Sequence, residues 1–420
     1  MIQSEVLAAQ VIDKEKKPTV LVTDANRGSA IAIIRSLSRQ DWRTIAADSE
    51  DGSLGFHSRY AARTLVYPSP THDAMSFANS ILEVVIKERV DLVIPTTDDA
   101  ILPLALARKR FEGLCKLAIP DEEALRLVTD KHETLALARE LGVPTPPTYV
   151  ATTVEEARDV AHLLPWPMVL KAQRSRSLTS DGEILKTGPV GYANNVKELI
   201  EEIQRLQQFG PVLVQKYCEG SGLGVELLAH EGRTLAAFQH RRLAEIPITG
   251  GASALRESVP LNPELYEYSR RLVEALRWTG LLMVEFKVSK HETTLMEING
   301  RVWGSLPLAV HSGMDFPARL AELYRQGPPP PETPLAREYA VGVRACNLEL
   351  MLLWIAQVAS GRRRYEFIPQ PQRREAFRAL LGLFDPRQKY DLQAFRDPVP
   401  GFLQFFRAIQ KLGRKAQASV

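Results

Sequence analysis

Cysteine is scarce in this chain. Its three cysteines (Cys115, Cys218, Cys346) among 420 residues have no metal-ligand spacing, and an odd number cannot all pair. That excludes a disulfide-stapled scaffold. With no apolar leader and cleavage site in MIQSEVLAAQVIDKEKKP, a reducing cytoplasm is expected. Long apolar runs are absent too, none approaching the ~18 residues of a membrane span. Glycine is missing where a dinucleotide site would need it. The turn TDANRGSA offers Gly28 alone where that motif takes three, so a nicotinamide enzyme is not expected, even with Asp48 near the place of a ribose acid. No serine or cysteine sits in a triad arrangement, which argues against a side-chain nucleophile. The net charge of +3 excludes little by itself; no nucleic-acid partner is expected.

What is present is an ordinary globular composition, 45% hydrophobic and 25% charged, in a chain long enough for two or three domains. Residues 1–17 read as a polar tail. Strands at 19–23, 44–48 and 91–95 alternate with helices at 30–39 and 77–89, which predicts a parallel, doubly wound sheet. At its mouth Asn26, Arg27, Thr97 and Asp98 could bind a substrate, although sheet geometry alone also accounts for them.

The stretch 281–301, LLMVEFKVSKHETTLMEINGR, stands out. It reads as two strands, 283–288 and 294–299, joined by the polar turn 289–293. Side chains alternate along a strand, so Glu297, Asn299 and Arg301 share a face. A turn centred on His291 sets Glu285 directly opposite Glu297 on that face. Facing carboxylates repel, so the arrangement makes sense if a cation lies between them. Mg²⁺ takes one or two carboxylates together with nucleotide phosphates, which makes Glu285, Glu297 and Asn299 candidate ligands and Arg301 an anion binder. The plainer alternative is an exposed polar face on a hairpin.

Upstream, residues 130–142 predict an amphipathic helix with Asp130 as N-cap and Glu133 completing a capping box. Lys131 then lies in the first turn, where the helix dipole disfavours a cation. A bound phosphate would resolve that conflict, and a solvated surface lysine would equally account for it. The apolar strand 167–172 carries one charge, Lys171, which wants an anionic partner. A strand or loop at 183–192 and a helix at 196–209 lead to the strand 211–217, PVLVQKY. Gly220, Gly222 and Gly224 are expected in a turn ahead of strand 225–229. The backbone of Lys216 and Cys218 could read an adenine ring, and Glu219 or Glu226 its ribose. Segment 234–257 gathers His240, Arg241, Arg242 and Arg256 around Gly250 and Gly251. It is either a solvated basic loop or a set of cations for phosphate or carboxylate substrates beside the acidic hairpin.

Taken together, Lys131, Lys171, VQKYCEGSGLGVELL, HRRL, TGGAS, VEFK and MEINGRVWGSLPLA resemble the ATP-grasp superfamily over about residues 19–324. Within it the chain looks like the carbamoyl-phosphate-synthase-like predicted carboxylate–amine ligases. The resemblance implies a fold class of α/β and α+β. A Rossmann-like pre-ATP-grasp domain (18–120) would be followed by an ATP-grasp domain (121–326, lid 148–218), a proline-rich linker (327–335) and a mainly helical basic extension (336–420). It implies ATP with Mg²⁺, or Mn²⁺, as cofactors, with Lys131 and Lys171 on the phosphates. Gln215, Lys216, Tyr217 and Cys218 would form the adenine hinge, with Glu219 as a substitute ribose acid. Glu285, Glu297 and Asn299 would hold metal, and Arg301, with Arg242 and Arg256, would be the catalytic arginines. Two departures stand out: Gln215 replaces the usual hinge Glu, and the lid after Lys171 is poor in glycine. The implied activity joins a carboxylate to an amine through an acyl phosphate. Small-molecule carboxylate and amine substrates are the partners, and a homodimer is possible. A non-catalytic nucleotide-binding or membrane-associated scaffold on the same fold is the alternative.

QGPPPPETP (326–334) reads as a stiff linker. Beyond it, residues 336–420 hold 15 Lys+Arg against 7 Asp+Glu, a net of +8, which leaves −5 for the remainder of a +3 chain. Helices are expected at 348–358, followed by Arg362, Arg363 and Arg364, and at 402–412, followed by Gly413, Arg414 and Lys415. Packing onto the core is the default for both. The alternative is peripheral contact with the inner face of a membrane or with a lipid-linked acceptor.

Overall fold

The computed structural model describes residues 17–179, 181–361 and 365–417. The tail 1–16 and the arginines 362–364 lie outside the described residues. The first domain opens with β1 (Thr19–Val22), α1 (Gly28–Ser38), β2 (Arg43–Asp48) and β3 (Arg63–Val66). It continues through α2 (Ala74–Glu88), β4 (Leu92–Ile94), α3 (Asp98–Leu106) and β5 (Lys116–Leu117). The five strands are all parallel in the order β3-β2-β1-β4-β5, as the alternating pattern predicts. Strand order reverses between β1 and β4, and ligands of open α/β sheets bind at such a reversal, beyond the carboxyl ends of the strands. The turns that emerge there carry Asn26 and Arg27 on one side and Asp98 on the other.

Helices α4 (Glu122–Thr129) and α5 (Lys131–Glu140) lead into the lid. Its strands are β6 (Thr148–Ala151), β7 (Met168–Ala172), β10 (Gly191–Ala193) and β11 (Val212–Lys216). They form an antiparallel sheet in the order β10-β7-β11-β6. Helices α6 (Val154–Val160) and α7 (Val196–Leu206) cover one face, burying Leu170, Leu199, Ile203 and Val214. Between β7 and β10 a small hairpin, β8 (Arg176–Leu178) and β9 (Ile184–Lys186), leaves the sheet. It reaches the first domain, where Ala74 N donates to Gly182 O and Ile184 N to Thr71 O.

The largest sheet has seven strands: β12 (Ser221–His230), β13 (Arg233–Ile246), β14 (Ala252–Ser258), β15 (Gly280–Val288), β16 (Thr293–Asn299), β17 (Arg344–Cys346) and β18 (Lys389–Tyr390). Their order is β16-β15-β12-β13-β14-β17-β18. Helix α8 (Pro263–Ala275) packs on one face, with α9 (Leu306–His311) and α10 (Phe316–Gln326) between this sheet and α1. The segment 234–257 is therefore two long strands rather than a basic loop, because its polar residues alternate with Ala236, Phe238, Ala244 and Ala254, all buried. The proline segment is docked, with Arg233 donating to Pro330 O at 2.8 Å.

The C-terminal extension is mainly helical: α11 (Leu348–Ser360), α12 (Arg373–Gly382) and α13 (Pro398–Gln417). It also supplies β17 and β18 to the edge of the large sheet. Two buried ion pairs pin it: Arg256–Asp391 to the sheet, and Arg35–Asp397 (2.8 Å) to α1 of the first domain.

Candidate active site

The hairpin β15–β16 pairs with Glu285 opposite Glu297 and Met283 opposite Asn299. Nearer the turn the register slips by one residue, so that Met296 bulges and faces the cleft. The Asn299 amide lies between the two acids, Nδ2 donating to Glu285 Oε1 at 3.0 Å and to Glu297 Oε1 at 3.2 Å. Cross-strand register extends this row through Gly224 of β12 to His240 of β13, and the next row through Gly222 to Arg242. Gly222 and Gly224 lie within β12 and not in a turn; only Gly220 takes the left-handed backbone, at φ +130°. Their role is room. A Cβ on Gly224 would lie 2.5 Å from the His240 ring, and one on Gly222 would lie 3.1 Å from Arg242 Cδ. The bare strand lets the Arg242 side chain lie across β12 and form an ion pair with Glu285, while also bonding Glu245 at 3.0 Å.

Lys171 enters the same space from β7, and Lys131 from the first turn of α5. Asp130 caps that helix, accepting from His132 N and Glu133 N. The capping box forms only in half, since Glu133 faces Arg126 at 3.6 Å. The Lys131 ammonium donates to Ser175 Oγ at 2.6 Å. Neither lysine makes an ion pair among the described residues. Burial holds both ammonium groups below the ordinary lysine range, against the pull of Glu297. The acids respond in opposite directions. Burial lifts Glu285 above the usual carboxylate range, with Arg242 opposing. Burial also pushes Glu297 up, but Lys171, Lys131, Arg242 and the Asn299 hydrogen bond together outweigh it and hold that carboxyl low. Half-buried lysines and a half-buried carboxylate, Glu297, with no ion pair among the described residues and beside an open cleft make this a candidate ligand site.

The donor set suits Mg²⁺. Among the described residues no cluster of three or more His, Cys, Asp or Glu is preassembled. Two carboxylates and an amide oxygen, completed by phosphate oxygens and water, are what a small hard cation beside a nucleotide takes.

Arg301 leaves the hairpin toward the first domain, where its Nε meets Asp98 Oδ2 at 3.0 Å. The next residue, Asp99, accepts from Arg176 and Lys186 of the lid hairpin. Asp98 and Asp99 thus join domain, lid and hairpin at one point. Sequence reasoning placed Asp98 at the sheet mouth but missed Asp99, whose partners lie about 80 residues away in sequence. A cleft of about 730 Å³ runs between these parts, within the usual range for a small-molecule site. Val169, Lys171, Tyr217, Cys218 and Met296 line its hinge side, and Asn26, Arg27 and Arg407 its far side.

Other expected residues stand apart from the cleft. Arg256 is 1% exposed and closes on Asp391, so it pins the extension and is not positioned with the other two arginines. Arg241 faces outward to Glu257. The Gln215 amide turns inward to Thr148 Oγ1 and the Lys216 side chain to Glu292, and the Lys216 N–H is bonded to Pro147 O at 3.0 Å. Glu219 is exposed and off the cleft wall. Glu226 cannot meet a ribose: it is fully buried, 2.9 Å from His240 Nδ1, and accepts from Ser305 Oγ.

Residues 208–347 match the family model described as ATP-grasp in the biosynthetic pathway with Ter operon. Among curated proteins, the C-terminal section of the carbamoyl phosphate synthase large chain of Aquifex aeolicus is 26% identical over 218 residues, half of this chain and 39% of that one. The chain thus spans less than half the length of that relative. Two solved structures share the fold. The biotin carboxylase domain dimer of 2-oxoglutarate carboxylase from Hydrogenobacter thermophilus, in complex with MgADP and bicarbonate, aligns with a TM-score of 0.60 at 18% identity, covering 78% of this chain and 73% of that one. The L-amino acid ligase of Bacillus licheniformis aligns at 0.56 and 16%, covering 74% of each. The chain thus carries an ATP-grasp domain and is homologous to the carbamoyl phosphate synthase large chains.

Proposed function

We propose that this chain is an ATP-dependent carboxylate–amine ligase. One observation carries the reading: Glu285, Glu297 and Asn299 converge at the floor of a cleft whose two lysines have no ion-pair partner among the described residues. ATP would lie between lid and large sheet, its adenine against the backbone of Gln215, Lys216, Tyr217 and Cys218. Glu285, Glu297 and Asn299 would hold Mg²⁺, or Mn²⁺ in its place, which when bound neutralises charge on the β- and γ-phosphates. Lys131 and Lys171 bind phosphate oxygens. Arg301 and Arg242 stabilise the negative charge on the transferring group, which is most of what phosphoryl transfer asks of a protein.

A carboxylate oxygen attacks the γ-phosphorus, the bond to the β,γ-bridging oxygen breaks, and ADP leaves. The acyl phosphate then meets an amine: a carbon–nitrogen bond forms, phosphate departs, and the nitrogen gives up a proton. Water must be kept from that intermediate. Asp99, gripped by Arg176 and Lys186, holds the lid hairpin over the cleft and serves this end. The use of ATP and three unpaired cysteines fit work in the cytoplasm.

The test is ADP release by the full chain with Mg-ATP and pooled carboxylic acids and amines. Release that needs both pools, and that Glu297→Gln abolishes, is the expected result. A chain that binds ATP yet releases no ADP with any pool would instead be a nucleotide-binding scaffold.

A further inference from the structure

Helix α13 is mounted inside out. Its inner side is mostly small or polar: Gly401, Gln404 and Ala408 are buried, and Leu403, half-buried, packs on Ile31, Leu54 and Leu392. Its bulky residues face solvent, with Phe402 63%, Phe405 40%, Phe406 46% and Ile409 47% exposed. Val399 and Phe395, just before them, are exposed as well. The three rings gather on the outside, Phe402 and Phe406 edge to face at 4.6 Å and Phe405 beside Phe406 at 6.0 Å. The helix is not loosely docked. Asp397, one residue ahead of it, is 2% exposed and bonded to Arg35, Ser58 and the Arg59 amide. Farther along, Arg407 donates to Asn26 Oδ1 and Gly52 O, and Lys411 pairs with Glu349. Gly401 lies so close to Gln393 that a Cβ would meet its Cα at 2.8 Å. Rotating the aromatic face inward would break all of these. An apolar surface held outward in this way marks a contact with something else.

We propose that this face docks on an anionic lipid surface. The charge pattern selects that occupant. Residues 398–417 contain no Asp or Glu; of their four Lys or Arg, Arg407 and Lys411 bond inward, so the charge that meets a lipid comes chiefly from the wider extension of net +8. A helix with phenylalanines on one side and basic residues around it lies flat at the headgroup boundary, bound by apolar burial plus attraction to anionic lipid. A second copy would bring α13 against α13 across a two-fold axis and set the same positive charges together. No helix among the described residues is long and apolar enough to cross a membrane, so the contact is peripheral. The proposal does not depend on the ligase reading.

The experiment is flotation of the full chain with vesicles of phosphatidylglycerol and phosphatidylcholine, at low and high salt, beside vesicles of phosphatidylcholine alone. Co-flotation with the anionic vesicles, reduced at least tenfold by high salt and by Phe402→Ala/Phe405→Ala/Phe406→Ala, is the expected result. A single variant, Phe402→Asp, should act in the same direction and guards against misfolding of the triple one, with the circular dichroism spectrum as the check on the fold. Failure to float at low salt overturns the proposal. So does equal flotation with neutral vesicles, or unchanged flotation of the variants. Sedimentation velocity covers the other occupant: a dimer that the triple variant dissociates, in a chain that ignores vesicles, means that the face is a homodimer contact.

Discussion

Arg242 and Arg256 stand opposite each other on neighbouring strands, β13 and β14, and point to the same face of one sheet. Their surroundings differ in one respect, which is whether the charges close. Arg256 and Asp391 are 1% and 2% exposed and meet one to one. Arg242 is 15% exposed and shares two glutamates, and beyond them lie two lysines that touch no acid. A closed buried pair is architecture: removing one partner strands the other, while replacing both can leave stability unchanged. An open cluster beside a cleft stores unpaired charge that a ligand can satisfy. The two arginines look alike in the sequence, and only the partner, 135 residues downstream for Arg256, tells them apart.

Breaking the open cluster gives the largest expected effect. Glu297→Gln keeps the shape of the side chain and removes the charge that Lys171, Lys131 and the metal would share. Turnover should fall about a thousandfold or more, the several kcal/mol that a catalytic cation supplies, with an unchanged circular dichroism spectrum. Wild-type ADP release would remove Glu297 from the metal site. Breaking the closed pair should do the reverse. Arg256→Met should cost about 3–5 kcal/mol of stability by stranding Asp391, read as a lower urea midpoint, while ATP affinity of the folded fraction is kept. Adding Asp391→Leu should restore much of the loss. A variant of wild-type stability that fails to turn over would return Arg256 to the catalytic set.

Much of this arrangement was legible in the sequence because strands and hairpins are local. Alternation and a short turn put Glu285 across from Glu297, and the bulge at Met296 lies on the turn side of that pair, where it leaves the prediction intact. Capping chemistry located Lys131, and a lone charge in an apolar strand located Lys171. The misses are long-range. The role of Gly222 and Gly224 depends on side chains from a neighbouring strand, so a glycine run that looks like a turn became strand. Glu226 looked available for a ribose because nothing local shows its burial against His240 and Ser305. The extension is mainly helical, as expected, but β17 and β18 escaped notice because they join the sheet edge through three- and two-residue strands too short to show a period.

Arg301 tests whether the open cluster works by charge alone. A guanidinium can grip a phosphoryl group with two parallel hydrogen bonds, and an ammonium cannot. Arg301→Lys should therefore lower kcat about a hundredfold, the scale of losing one preorganised donor, with little change in ATP affinity. Equal losses in affinity and rate would mean that Arg301 holds ground states only.

The smallest effect is also the one that sets the two clusters furthest apart. Burial depresses the pKa of Lys171, with Glu297 and Glu285 only partly offsetting it. A lysine whose folded pKa is below its unfolded value of about 10.4 makes the native state resist a proton that the unfolded chain accepts. That penalty is complete below the folded pKa and is relieved as pH climbs from there toward about 10.4. Lys171→Met, apolar and of similar length, should remove it. The variant should be more stable than wild type at pH 7, read as a higher urea midpoint. The gain should shrink as pH rises and vanish near pH 10.4, while calorimetry shows weakened ATP binding. Stability gained as function is lost is the mark of a charge kept for a ligand. If Lys171→Met is instead less stable at pH 7 and binds ATP as before, Lys171 belongs with Arg256 as part of the frame.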